Sequence, residues 1–153
     1  MPEAEIEILL VEDSPEDAEL TLHSLRKSGL ANRIHWARDG EEALDFLFRR
    51  GAFSERSFQS PPKVVLLDLK LPKIDGLEVL RYLKQDPRTQ PIPVVIVTSS
   101  REEADVVRGY RNGANSYVQK PVDFDQFREA VRQLGLYWLV TNEPPLETAF
   151  LRK

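Results

Sequence analysis

The sequence predicts an α/β fold, a doubly wound parallel sheet of five strands covered by helices. Two observations predict it. Five short strand-like runs alternate with five amphipathic stretches along the 153 residues, and that alternation means βαβ units whose right-handed crossovers set helices on both faces. Three of the runs, at 6–11, 64–67 and 94–97, are almost continuously apolar, as strands buried on both faces are.

The first strand, at 6–11, leads into a helix at 17–28, where Ala18, Leu22 and Leu25 share a face and Gly29 supplies the C-cap. A weaker strand, "RIHWA" at 33–37, precedes a helix at 40–50 that groups Ala43, Leu44 and Leu47 and closes at Gly51. The long polar connector "AFSERSFQSPP", at 52–62, leads to the third strand, Val64–Leu67. The helix at 75–85 gathers Leu77, Val79, Leu80 and Leu83, and Asp86-Pro87 stops it. The fourth strand, at 94–97, is wholly β-branched, which favours strand over helix. Its helix, at 101–112, groups Ala104, Val107 and either Tyr110 or Arg111, and ends at Gly113. "SYVQ" at 116–119 is the fifth strand, and the helix at 123–137 groups Phe124, Phe127, Val131 and Leu134. Pro144-Pro145 forbids helix in the tail.

Composition narrows the function. With no cysteine there is no disulfide, thiolate zinc site or thiol nucleophile. A net charge of −4 argues against a nucleic-acid partner. The opening "MPEAEIEILL" is acidic where a secretory signal would be basic, and no apolar window reaches the length of a membrane span. The expectation is a soluble cytoplasmic protein without membrane contact.

In a doubly wound sheet, function gathers beyond the carboxyl ends of the strands. There the chain places Glu12-Asp13 after the first strand, Asp68 after the third, Thr98-Ser99-Ser100 after the fourth and Lys120-Pro121 after the fifth. The second strand ends near Ala37-Arg38 with no comparable group. Three carboxylates on one rim repel one another unless a hard divalent cation and the Lys120 ammonium relieve them. His23 and His35 fall away from this rim, so nothing favours zinc. One carboxylate is then a candidate nucleophile toward phosphorus, with metal, Lys120 and Thr98 neutralising the phosphoryl oxygens. Plainer roles compete: Asp13 as the N-cap of the first helix, Asp75-Gly76 as the start of the third, Lys120-Pro121 as a turn.

Four stretches, "LLVEDS", "LLDLKLPKIDG", "VVIVTSS" and "SYVQKPVD", resemble the receiver domain of two-component response regulators over about residues 5–138. The resemblance implies one domain spanning 1–153, a flavodoxin-like (βα)5 sheet of strand order 2-1-3-4-5, and a C-terminal extension at about 139–153. It makes Asp68 the phosphoacceptor. Glu12, Asp13, Asp68 and the main-chain carbonyl of Lys70 then bind Mg2+ or Mn2+. Thr98 bonds the phosphoryl group and moves on activation, Lys120 pairs with the phosphoryl oxygens, and Lys70 and Ser100 flank the acceptor and tune hydrolysis. Tyr117 matches the aromatic switch that turns inward when Thr98 shifts; its other reading is a strand-edge aromatic packed on the fourth helix. The Lys120–Pro121 bond is expected to be cis. Such a domain is no enzyme beyond its own phosphotransfer and autodephosphorylation.

Within the family, "ILLVEDSPEDAEL", "GEEALDFLFRRGAF" and "LGLYWLVTNEPP" are most similar to stand-alone regulators paired with phytochrome kinases. The implied partner is a sensor histidine kinase of phytochrome type. Output is expected through protein contact, since "NEPPLETAFLRK" holds no helix-turn-helix. Leu136, Tyr137, Trp138, Leu139 and Val140 are consecutive, and a helix cannot bury all five on one side. Either some face outward or the tail folds back over them. The expected assembly is a homodimer through the fourth helix, fifth strand and fifth helix, with Tyr110, Tyr117, Phe127, Tyr137 and Trp138 on the shared face and Leu146, Phe150 and Leu151 of the tail joining it.

Rival functions meet specific obstacles. A phosphatase working through an aspartyl phosphate needs a second Asp two residues after the nucleophile, and position 70 is Lys. A nucleotide- or flavin-binding fold needs glycine after the first strand, and "EDSPED" is acidic instead. A phosphate-independent scaffold and a shuttle serving a kinase other than a phytochrome remain as alternatives.

Overall fold

A computed structural model describes residues 6–29, 33–55 and 61–145. Five parallel strands, β1 (Ile8–Val11), β2 (Ile34–Ala37), β3 (Val64–Leu67), β4 (Val94–Thr98) and β5 (Ser116–Gln119), form one sheet of order β2-β1-β3-β4-β5. The helices are α1 (Pro15–Lys27), α2 (Gly40–Leu47), α3 (Gly76–Gln85), α4 (Glu103–Arg111) and α5 (Phe124–Gly135). The predicted class and strand order are therefore those observed. The chain runs outward from β1 to β2 and then crosses back to β3, so the direction of winding reverses between β1 and β3. A crevice opens at their carboxyl ends.

Period-two alternation explains the continuous apolar runs. Leu9, Val11, Val65, Leu67 and Ile96 point to one face, where they pack with Ala43, Leu44 and Phe46 of α2 and Val79, Leu80 and Leu83 of α3. Ile8, Leu10, Val64, Leu66 and Val95 point to the other, against Ala18 and Leu25 of α1 and Phe127 and Val131 of α5. Each fully buried side chain of this kind contributes about 2 kcal/mol. Among the described residues, no helix is long and apolar enough to cross a membrane.

Caps fix where the helices begin. Ser14, not Asp13, is the N-cap of α1, accepting a hydrogen bond from the Asp17 amide at 3.3 Å, with Pro15 as the first helical residue. That leaves the Asp13 side chain to the crevice. Asp75 caps α3 through the Glu78 amide at 3.1 Å, the structural role expected of it. α2 stops at Leu47, short of the expected 50, because Arg49 adopts a left-handed φ of 55°.

Two helices depart from the predicted faces. In α4 the row Ala104, Val107, Tyr110 faces solvent, and the buried residues are Asp105 and Gly109. The reason is close approach: a Cβ on Gly109 would lie 2.7 Å from Ile96 Cδ1, so the helix sits on the sheet through its glycine and turns Ala104, Val107 and Tyr110 out. In α5 Phe124 is exposed, while Phe127 and Val131 point inward. Beyond Gly135 the chain widens into a π-helical stretch, Leu136–Thr141. There Trp138 and Leu139 pack on the core beside α1, and Leu136, Tyr137 and Val140 remain exposed. The apolar run is thus divided between core and solvent. Leu146, Phe150, Leu151 and part of the 52–62 connector lie outside the described residues.

The Gly76 position is tightly bounded. A Cβ there would land on the Asp68 carbonyl oxygen and lie 2.7 Å from Leu69 Cα. Gly76→Ala is expected to destabilise the fold by about 3 kcal/mol, seen as a lower urea midpoint with an unchanged slope. Gly29→Ala meets nothing within 4 Å and carries only the strain of a φ of 68°, so its loss should be nearer 1 kcal/mol.

Candidate functional site

Register brings the polar residues together. Val11 pairs with Leu67, so Glu12 and Asp68 leave the sheet side by side. Leu67 pairs with Ile96 and Thr98 with Gln119, which sets Thr98 and Lys120 along the same edge. Glu12, Asp13 and Asp68 each offer a carboxylate oxygen within 4.8 Å of the others. Asp68 is only 7% exposed and Glu12 is buried as well, whereas Asp13 is open to solvent.

Lys120 ties this rim together. Its ammonium donates to Glu12 Oε1 at 2.7 Å, Asp17 Oδ2 at 2.8 Å and Asp68 Oδ2 at 2.9 Å. Burial works against the charge on Lys120, yet its hydrogen bonds to Asp17 and Glu12 and the charges of Asp68 and Glu12 hold its pKa above the usual lysine value. Glu12 behaves differently. Burial pushes its carboxyl up to about 7, against the Lys120 hydrogen bond and charge, while the neighbouring Asp68 charge pushes it further up. The Ser14 amide also donates to Glu12 Oε2 at 3.1 Å, and the Trp36 indole donates to the Glu12 carbonyl at 2.7 Å.

Asp17 is the site residue that sequence reasoning missed, having been read only as the start of a helix. Its signal was the Ser14-Pro15 start: α1 begins directly at the crevice, so the third residue of its first turn overhangs the rim. Four acids therefore face one ammonium. That excess of hard oxygen ligands, with no His or Cys in the group, suits Mg2+ or Mn2+ and not zinc.

The remaining residues frame the crevice. The Lys70 amide donates to Asp68 Oδ1 at 3.3 Å, and the Lys70 residue itself is exposed. Thr98 is fully buried, with the Ser100 amide 3.5 Å from its hydroxyl. The Tyr117 hydroxyl donates to the Ser100 carbonyl at 3.2 Å, and its ring lies 3.4 Å from where a Gly109 Cβ would stand. Tyr117 thus packs on α4 and is tethered to the β4–α4 loop at once.

Two expectations are corrected. The Lys120–Pro121 bond is trans. Trans is the lower-energy isomer of an X–Pro bond by about 0.5–1 kcal/mol, and with it the Lys120 amide still reaches the Thr98 carbonyl at 2.8 Å and the ammonium still reaches all three carboxylates. Phe127 cannot belong to a partner face, because it points into the core and is 5% exposed. Tyr110, 51% exposed, and Tyr137, 49% exposed, do reach the surface, while Trp138 is half-buried against the core with its ring edge-on to Tyr137.

The chain is similar to known proteins. Residues 8–132 match the response regulator receiver domain family. The chain is 43% identical over 138 residues to the probable methanogenesis regulatory protein FilR2 of Methanothrix harundinacea, covering 90% of this chain and 86% of that one. The Mn2+-bound form of response regulator Rcp1, a protein of Synechocystis sp., superposes with a TM-score of 0.85 at 37% identity, over 93% of this chain and 99% of that one. The bacteriophytochrome response regulator RtBRR gives a TM-score of 0.71 at 53% identity, over 90% and 82% of the two chains.

Removing the ammonium would leave Glu12 and Asp68 buried beside each other with no cation. In metal-free buffer at neutral pH, Lys120→Met is expected to lower stability by about 3 kcal/mol, measured by urea unfolding. The loss should shrink in mild acid, where Glu12, raised by burial to about 7, accepts a proton instead.

Proposed function

The chain belongs to the response regulator receiver domain family, and from that premise we propose that it accepts a phosphoryl group on Asp68 from a sensor histidine kinase and signals through protein contacts. The observation that carries this reading is the buried Asp68 carboxylate, 2.9 Å from the Lys120 ammonium and within 4.8 Å of the Glu12 and Asp13 oxygens. An Asp68 oxygen attacks phosphorus, the bond from phosphorus to the donor imidazole nitrogen breaks, and the imidazole leaves with its electron pair. Lys120 holds one phosphoryl oxygen and the Thr98 hydroxyl donates to another. Glu12, Asp13, Asp68 and the Lys70 carbonyl would hold Mg2+ or Mn2+, which supplies positive charge to the transferring group. Hydrolysis of the same bond, tuned by Lys70 and Ser100, resets the protein.

The similarity to RtBRR supports a phytochrome-type kinase as donor. The similarity to FilR2 favours a second reading, in which a kinase of another kind supplies the phosphoryl group. A single receiver unit in the cytoplasm, with the stretch at 139–153 as an extension, fits both. Exposed Tyr110 on α4 and Tyr137 beyond α5 support a homodimer across α4, β5 and α5. Thr98 and Tyr117 couple phosphorylation to that face as a population shift.

Incubation with acetyl phosphate and Mg2+, read by intact mass and gel filtration, tests the reading. One phosphoryl group is expected on the wild type, and none on Asp68→Asn or without the metal. A folded wild type that neither gains mass nor responds to beryllofluoride at Tyr117 would leave a phosphate-independent scaffold. A companion titration follows the metal by Trp36 fluorescence in a Trp138→Phe background, since the indole bonds the Glu12 carbonyl. Asp13→Asn should weaken Mg2+ binding by about tenfold.

A further inference from the structure

α4 is attached to the sheet in an unusual way. Its buried residues are Asp105 and Gly109, a carboxylate and a residue without a side chain. By contrast, α3 buries Val79, Leu80 and Leu83, and α5 buries Phe127 and Val131. Apolar burial therefore does little to hold α4, and its position depends on polar contacts near its start.

Those contacts converge on Ser100. Its hydroxyl donates to Asp105 Oδ2 at 2.5 Å and accepts from the Glu102 amide at 3.3 Å. Glu102, the N-cap residue of α4, makes no capping bond with its own side chain. Ser100 accepts from the amide of that N-cap residue, and Asp105, in the first turn of α4, holds the Ser100 hydroxyl. The Ser100 carbonyl accepts from the Tyr117 hydroxyl, and the Ser100 amide faces the Thr98 hydroxyl. Among the described residues, Ser100 is the one bonded to the side chains of both Thr98 and Tyr117. Asp105 is 5% exposed, and its second oxygen accepts from Arg108 at 2.9 Å. The Ser100 hydroxyl and the Arg108 guanidinium hold the Asp105 carboxyl below the ordinary carboxylate range, so it stays a charged acceptor at neutral pH.

We propose that Asp105 is a positioning residue, a latch that joins α4 to Ser100 and thereby makes α4 follow any movement of Thr98 and Tyr117. This rests on the phosphoacceptor reading for what drives the movement, but the latch itself exists without phosphate. The contact between the Ser100 amide and Thr98 is long, so a hydroxyl drawn toward a phosphoryl group changes it first. The hydrogen bond to Asp105 is short and carries that change into the helix. With Val106 only partly buried and no apolar side chain of α4 fully buried, α4 can shift without opening a large cavity in the core.

Amide hydrogen exchange on the unphosphorylated protein tests the latch directly. Asp105→Ala is expected to speed exchange across residues 103–111 by about tenfold, leaving α3 and α5 unchanged. Ser100→Ala, a mild change that keeps the fold, should act in the same direction, and the double variant should fall short of the product of the two single effects, because the bond between the two residues is lost in each. Asp105→Asn, whose amide oxygen still accepts from Ser100, should recover most of the protection. The second arm adds beryllofluoride and Mg2+ and follows the Tyr117 ring by NMR. Wild type should show the ring and α4 signals shifting together; in Asp105→Ala the ligand should bind equally well while the α4 signals no longer follow. Unchanged α4 exchange, additive effects in the double variant, or an intact α4 response would each overturn the proposal. A wild type that takes no beryllofluoride would instead count against the phosphoacceptor, and the exchange arm alone would then decide the latch.

Discussion

The ammonium of Lys120 closes the carboxyl edge of the sheet. It arrives from β5 and bonds carboxylates carried by β1, α1 and β3, elements separated from it by as much as 108 residues of sequence. Buried carboxylates without a cation would repel one another and lose their hydration. With the ammonium among them, the Asp68 carboxyl group at the end of an apolar strand has a cation 2.9 Å away. The same arrangement limits its own stability, since burial drives Glu12 toward a proton even with Lys120 in contact. A site of this kind keeps an excess of carboxylates over its one ammonium, and a further cation or a phosphoryl group alters that balance.

Packing supplies the precision that charge alone cannot. The strands are in register to the residue, so Glu12 and Asp68 leave adjacent strands one position beyond the pair Val11 and Leu67. The alternate residues of those strands bury into two separate layers, and a slip by one residue would exchange the layers and displace every polar group of the crevice. The residues that build the core therefore also align the site, although none of them takes part in its chemistry.

Much of this was legible in the sequence. Continuous apolar runs gave the strands, and polar residues directly after them gave Glu12, Asp13, Asp68, Thr98 and Lys120. What escaped has physical reasons. Asp17 lies on a helix, and its contact with Lys120 depends on where Ser14 starts α1, which spacing alone does not settle. The face of α4 was misread because Gly109 carries no hydrophobic signal, yet close approach of the backbone there outweighs the periodicity of Ala104, Val107 and Tyr110. Phe127 was assigned outward because an apolar residue on an amphipathic helix reads alike whether it meets its own core or another chain. A trans Lys120–Pro121 bond was not expected because the family resemblance, and no property of the residues, suggested otherwise.

The two glycines that open α2 and α3 have a counterpart in the one beneath α4. A Cβ at Gly40 would strike the Ile74 carbonyl, and one at Gly76 the Asp68 carbonyl, so two helix starts grip the loop that follows Asp68. The loop after β3 is therefore packed so closely that a single added methyl at either glycine meets backbone. Ala104, Val107 and Tyr110 of α4 stand outside both cores. Their identities are almost free of folding duty. Substitutions there can change what the surface offers to another molecule without disturbing the packing that holds Asp68 in place.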